Sequence, residues 1–288
     1  MRKSKWLMLV LVGLLAMGLV AGCGGDNEPA PAPDGGEEEQ PSEQSELSGS
    51  LQIAGSTSVQ PLSEELATAF MDKYPQVTIN VAGGGSGAGI KAAQEASADI
   101  GAASRALKAE EEGTVVATAI AYDGIAVVVH PSNPVSEITM EQIKQVFAGE
   151  ITNWSELGGA DAPITIYNRE EGSGTRGAFT EIVLGEETPI TDKAIIQNSN
   201  GAMRTAAAGD PNGIAYISFG YLNDEVKPLK VDGVEPTVDN VKNGSYKISR
   251  PFLYLTHDEP AGLTKAYMDF VLGDEGQAIV AEEFITVK

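Results

Sequence analysis

Residues 169–176 read Arg-Glu-Glu-Gly-Ser-Gly-Thr-Arg, a spacing of groups suited to holding an oxyanion. Arg169 offers a planar fork of N–H donors to two oxygens at once, which a lysine point charge does less well. Gly172 and Gly174 let the backbone come close to a ligand, while Ser173 and Thr175 add hydroxyl donors. The apolar, β-branched stretch 164–167 predicts a strand and 177–184 predicts a helix, so the octapeptide is a strand-to-helix turn. Free backbone N–H groups and the positive end of the helix dipole favour an anion at such a turn. A lone Gly-Ser-Gly-Thr carries less weight, because Ser173 would then only cap the helix and both arginines would be solvated. The flanking arginines and two further Ser/Gly-rich helix starts favour the clamp, with Arg169 as its anchor.

Two other chemistries compete. A phosphate-ester hydrolase would use Ser173 as nucleophile and His130 or His257 as base. These are the only histidines, one behind an apolar strand and one in the polar turn Thr256-His257-Asp258-Glu259, positions that suit ordinary surface histidines as well as catalysis. Gly83-Gly84-Gly85-Ser86-Gly87-Ala88 fits the loose dinucleotide fingerprint, with Arg105 about 20 residues on as a selector for NADP. That fingerprint is weak alone, and the chain has no Walker A sequence. No metal-ligand spacing stands out, so neither metal nor cofactor is expected, and the chain reads as a binding protein rather than an enzyme.

The positioning elements follow from periodicity. Residues 51–53 predict a strand, and Gly55-Ser56-Thr57-Ser58 opens a helix with Pro61 in its first turn and Leu62, Leu66, Ala69 and Phe70 on one face. Residues 77–81 alternate as a strand, 83–89 form a loop carrying Ser86, and 90–98 a helix. A short strand in 99–104 ends in a loop, and 120–130 form a longer apolar strand interrupted by Asp123. Residues 139–147 are helical, and Trp154 in the following turn serves packing. Residues 198–201 open a helix through 208, ahead of a strand at 213–217. The stretches 125–129 and 251–255 are expected as two hinge connections, and 264–284 as closing helices. Because glycine-opened helix then strand recurs in both halves, the pattern favours two α/β lobes.

Arg2, Lys3 and Lys5 precede an apolar run, 6–20, too short for a convincing span, which predicts an export signal over residues 1–22. Val20-Ala21-Gly22-Cys23 resembles the lipobox of bacterial lipoproteins, and Cys23 is the sole cysteine. Residues 26–46 hold eight acids, four prolines and no base, a composition that cannot offset the entropy of folding, so 23–49 is expected to be a disordered acidic tether. The resemblance implies a lipidated Cys23 holding the chain at the cell membrane, on its extracytoplasmic face. A formal net charge of −22 argues against nucleic acid as partner, since that binding needs basic patches. An anionic ligand must then be captured by local donors, not by global attraction.

Five segments together resemble the phosphate-binding proteins that serve bacterial phosphate ABC transporters: Ala-Gly-Ser-Thr-Ser, Gly-Ser-Gly-Ala-Gly, Asp-Ile-Gly-Ala-Ala-Ser, the octapeptide and Asn-Gly-Ile-Ala-Tyr-Ile. The resemblance implies the two-lobed, hinge-closing periplasmic-binding-protein fold (type II), with lobe I at 50–127 and 253–288 and lobe II at 128–252. It implies a cleft with Thr57, Ser58 and Ser86 on one wall and Arg169, Ser173, Gly174 and Thr175 on the other, with Ser104 as a further candidate phosphate ligand. It further implies a monomer that binds inorganic phosphate and delivers it to ABC transporter permease subunits, with sulfate or molybdate as alternative ligands. One position departs from the family pattern. Where members often carry an aspartate that accepts the phosphate's proton, this chain has Arg105, which has no acceptor capacity. Asp123 is the candidate replacement acceptor, and a structural pairing of Asp123 with Arg105 is the equal alternative.

Overall fold

The computed structural model describes residues 47–185 and 187–288. The expected signal peptide, Cys23 and the tether up to residue 46 lie outside the described residues. Strand β1 (Gly49–Gly55) opens the fold and Leu47 packs against its core, so the stretch expected as tether ends inside the folded body. Helix α1 (Gln60–Lys73) takes Pro61 in its first turn, where the missing N–H costs nothing, and buries Leu62, Leu66 and Phe70. Strand β2 (Val77–Gly83) lies parallel to β1. Helix α2 (Ser86–Gln94) starts four residues before the expected 90, because Gly85 at φ 88° makes the turn that a side chain would resist. Ser86 therefore opens a helix and does not lie in a loop.

Strand β3 (Ile100–Ala103) and the long β4 (Val116–Val129) follow, then β5 (Glu137–Ile138) and α3 (Met140–Ala148), whose N-terminus is closed by a Thr139/Gln142 capping box. Trp154 is buried in a short 3-10 turn and donates its Nε1 hydrogen to the Asn212 carbonyl, a packing role as expected. Strand β6 (Thr165–Arg169) runs into α4 (Gly174–Phe179), which continues as a π-helical turn over Thr180–Leu184. The octapeptide's second half is thus already helical, because the Ser173 hydroxyl accepts the Arg176 N–H and caps the helix three residues earlier than expected.

Strand β7 (Ile195–Gln197), helix α5 (Asn200–Gly209) and strand β8 (Gly213–Ser218) complete this half. Strands β9 (Lys227–Pro228) and β10 (Lys230–Val231), helix α6 (Val238–Lys242), strand β11 (Ser249–Thr256) and helices α7 (Gly262–Leu272) and α8 (Asp274–Glu283) end the chain.

Among the described residues the main strand path is β2-β1-β3-β11-β4-β8-β6-β7. Strand β4 does two jobs. Its first part pairs antiparallel with β11, from Val116 opposite Thr256 to Gly124 opposite Ser249, and its second part, Ile125 to Val129, pairs with β8. A main core sits on either side of that switch, with a smaller third one of Ile90, Ala93, Ala103, Val115, Leu253 and Leu255. Of the two main cores, one gathers Leu51, Ile53, Phe70, Ala121, Phe252 and Tyr267, the other Ile125, Val127, Phe147, Phe179, Tyr216 and Ile248. The chain thus changes core at residues 123–125 and 248–250, whereas the stretches expected as hinges, 125–129 and 251–255, lie just beyond, in opposite lobes. Both crossings are short extended segments, the usual construction for rigid-body closure of two lobes.

Candidate functional site

Four helix starts meet where the two cores face each other. From lobe I come the Ser56-Thr57-Ser58 turn before α1, Ser86 at the start of α2, and Ser104 just after β3. From lobe II come Arg169 at the end of β6, Ser173, Gly174 and Thr175 at the start of α4, and Asn200 at the start of α5. All of these residues, Gly174 included, are buried. A cluster of this many hydroxyls and guanidiniums out of water is costly unless it is mutually bonded or holds a ligand.

The lobes touch through these groups. Ser58 Oγ and Thr175 Oγ1 are 2.7 Å apart, and Asn200 Nδ2 donates to Ser58 Oγ at 2.8 Å and to Thr57 Oγ1 at 3.3 Å. Arg169 Nη2 reaches Thr57 Oγ1 at 3.3 Å, the Gly87 N–H donates to the Gly172 carbonyl at 2.9 Å, and the Tyr221 hydroxyl donates to the Thr57 carbonyl at 2.7 Å. Within lobe I, Ser86 Oγ accepts the Ser104 N–H at 3.0 Å, and Ser56 Oγ donates to Ser104 Oγ at 2.8 Å. Gly174 sits so close to this wall that a Cβ built on it would fall 2.2 Å from Ser86 Oγ and 2.6 Å from Ser104 Oγ.

Arg169 is held from behind. Its Nε and Nη2 donate to the two carboxylate oxygens of Glu170 at 2.8 and 2.9 Å, and its backbone N–H donates to Asn168 Oδ1 at 2.8 Å. The Tyr216 hydroxyl donates to the same Asn168 oxygen, and the Tyr216 ring stacks on Phe179 with centroids 4.1 Å apart. Burial pushes the Tyr216 phenol well above its ordinary range, so it remains a donor. Arg169 is 1% exposed, and its Nη1 is buried without a hydrogen-bond partner. A guanidinium fixed on one edge and unsatisfied on another is built to receive an acceptor.

The sequence-derived cluster therefore comes together, with a division of labour. Thr57, Ser58, Ser86, Ser104, Arg169, Gly174 and Thr175 converge. Ser173 lies beside them, its oxygen engaged in capping α4. The alternative pairing of Asp123 with Arg105 requires a correction. Asp123 is 0% exposed and does not pair with Arg105; its Oδ2 accepts from Arg250 Nη2 at 2.9 Å and Nε at 3.2 Å, and its Oδ1 accepts the Phe219 N–H. Burial raises the Asp123 carboxyl above the usual range, and Arg250 opposes that rise. Arg105 instead forms a two-pronged pair with Glu111 at 2.6 and 2.7 Å, which holds the Glu111 carboxyl below the usual range. So paired, Arg105 is not a free selector for a dinucleotide phosphate.

Four residues at or behind the site escaped the sequence reading. Arg250 directly precedes the expected strand 251–255, Asn200 lies in the 198–201 helix opening, Glu170 in the octapeptide and Tyr216 in the expected strand 213–217. Only Glu170 carried a signal, its adjacency to Arg169. His130 bonds to its neighbour Ser132, and no group of three His, Cys, Asp or Glu able to hold a metal occurs among the described residues.

A two-lobed α/β body that closes oxyanion donors between its lobes defines a class, the solute-binding proteins of the periplasmic-binding-protein fold, and residues 40–275 match the model of the PBP superfamily domain. Within it, the chain belongs to the family of phosphate-binding proteins: it is 33% identical to the phosphate-binding protein PstS of Bacillus subtilis (strain 168) over 98% of this chain and 93% of that one. The fold also matches a solved phosphate ABC transporter substrate-binding protein of Clostridium perfringens, described as putative and with bound phosphate. That match has a TM-score of 0.80 and 48% identity over 83% of this chain and 100% of that one. A phosphate transport receptor of Vibrio cholerae gives a TM-score of 0.69 at 34% identity, covering 82% of this chain and 99% of the other.

Proposed function

We propose that this protein is an extracytoplasmic receptor that captures inorganic phosphate and delivers it to an ABC transporter permease. The observation that carries this reading is the buried Arg169 guanidinium, braced by Glu170, with Nη1 unpartnered and Nη2 against the Thr57 hydroxyl of the opposite lobe. The similarity to PstS proteins, and to a solved relative described as holding phosphate, supports it. Thr57, Ser58, Ser86, Ser104, Arg169, Ser173, Gly174 and Thr175 are the proposed phosphate-binding residues. Hydrogen bonds to a charged ligand are worth about 1.5–3 kcal/mol each, while micromolar binding needs about 8 kcal/mol in all, so desolvation and lobe ordering must oppose much of the gross gain. The protein acts as a binding protein and a monomer, and catalyses no reaction on its ligand. Calorimetry of the purified full-length chain in detergent is expected to show one phosphate per chain, with sulfate and molybdate binding more weakly. Sulfate or molybdate binding more tightly than phosphate would overturn the ligand assignment.

We also propose that Cys23 carries the membrane anchor, on the strength of the lipobox-like residues 20–23 and the acidic, proline-rich stretch behind them. Cys23→Ser is expected to shift the protein from the membrane to the soluble fraction without changing phosphate affinity, since Cys23 precedes the first proposed phosphate-binding residue, Thr57, by 34 positions in the sequence. Retention of the variant in the membrane pellet after alkaline washing would require another anchor.

A further inference from the structure

Arg250 and Asp123 stand opposite each other in the β11–β4 register, at the two points where the chain changes lobe. Both side chains are buried, at 1% and 0% exposure. The Asp123 carboxylate lies behind the guanidinium, and beyond it Arg250 Nη2 reaches Ser58 Oγ at 3.0 Å while Nη1 reaches Ser104 Oγ at 3.3 Å. Those two serines belong to the proposed phosphate wall. The lobe-bridging cluster is therefore rich in donors and poor in acceptors. Asn200, Arg169 and Arg250 all direct N–H groups at hydroxyl oxygens, several at 3.3 Å, while the carboxylates of Glu170 and Asp123 are taken up on the guanidiniums' other edges.

A buried ion pair is weak grounds for stability, because well-packed apolar residues of similar volume often do as well or better. Its placement against the cleft wall calls for a ligand. Resting on the phosphate reading above, we propose that Arg250 is a second guanidinium that binds the tetrahedral oxyanion, and that Asp123 is a positioning residue that aims it without touching the ligand. The anion then sits between two arginines, Arg169 from lobe II and Arg250 from the crossing strands. Each arginine has its own carboxylate, so these four side chains sum to zero formal charge before the anion arrives. Binding draws on oriented hydrogen bonds more than on net charge, which suits a chain of net charge −22. Contact with a crossing strand also ties ligand occupancy to the lobe angle.

The test uses Arg250→Lys, Asp123→Asn and the double variant Arg250→Met with Asp123→Asn, which removes both charges and leaves no orphan carboxylate. Full-length proteins in detergent are compared by circular dichroism, thermal unfolding and calorimetry with phosphate and sulfate. The double variant is expected to fold and to lose at least 100-fold in phosphate affinity. Arg250→Lys, which keeps the charge but not the fork, is expected to lose roughly tenfold with its unfolding temperature little changed. Asp123→Asn is expected to weaken phosphate and sulfate by the same factor, because it acts through Arg250. A folded double variant within threefold of the parent overturns the Arg250 assignment. If that variant does not fold, Arg250→Lys decides, and unchanged affinity there overturns it equally. A gain of sulfate relative to phosphate in Asp123→Asn would show that the carboxylate accepts the ligand's proton and overturn the positioning role. Should the parent bind neither anion, the phosphate reading fails before Arg250 is tested.

Discussion

Arg169→Ala is expected to lower phosphate affinity by two to four orders of magnitude, more than any single Ser→Ala in the cleft. The substitution removes one full charge and the donors of a fork whose Nη1 has no protein partner and whose Nη2 makes only a 3.3 Å contact to Thr57. Two hydrogen bonds to a charged ligand are worth about 3–6 kcal/mol together, or roughly 10²- to 10⁴-fold. A second cost adds to this, because Glu170 would lose its partner and leave a carboxylate facing the anion. Arg169→Lys should recover part of the loss, since it restores the charge without the fork. Calorimetry on the folded variants measures both. A loss no greater than that of Ser86→Ala would remove Arg169 as the anchor.

Gly174→Ala should weaken phosphate binding by about 10- to 100-fold while leaving the unliganded protein as stable as the parent or slightly more so. Gly174 begins α4 with no positive φ, and alanine is the better helix former, so lobe II itself has no reason to suffer. The added methyl meets the other lobe, 2.2 Å from Ser86 Oγ and 3.0 Å from Ser86 Cβ, so the lobes cannot approach as they do here. Overpacking of this kind costs about 1–3 kcal/mol, which falls on the closed state alone. Calorimetry gives the affinity, thermal unfolding without ligand gives the stability, and small-angle scattering with saturating phosphate reports closure. Parental affinity in this variant would mean that the interlobe contact at Gly174 is not made in the bound state.

The clamp was legible because its logic is local. A strand, a glycine-spaced turn and a helix start are encoded within eight residues, and the same holds for Thr57, Ser58 and Ser86, whose helix openings are written in Ser, Thr and Gly. The helix bounds were misplaced by three and four residues at α4 and α2. In each case the apolar periodicity begins later than the hydrogen-bonded helix, whose first turn is made of small polar residues. The hinge positions slipped for a related reason, since apolar strands 125–129 and 251–255 look continuous while the switch between cores falls on polar Asp123 and Arg250 beside them.

By itself, then, the sequence determined the two-lobed α/β pattern and most of the hydroxyls that converge between the lobes, and it pointed to an oxyanion as ligand, all consequences of short-range backbone chemistry. It could not determine what Asp123 pairs with. Arg105 and Arg250 are equally good partners for a carboxylate on paper, and the choice was made by the β4–β11 register, which sets Arg250 opposite Asp123 across 127 residues of chain while Glu111 takes Arg105. A buried charge is satisfied by whichever partner the sheet brings within hydrogen-bond reach, and strand pairing between distant segments is decided only when both cores close around it.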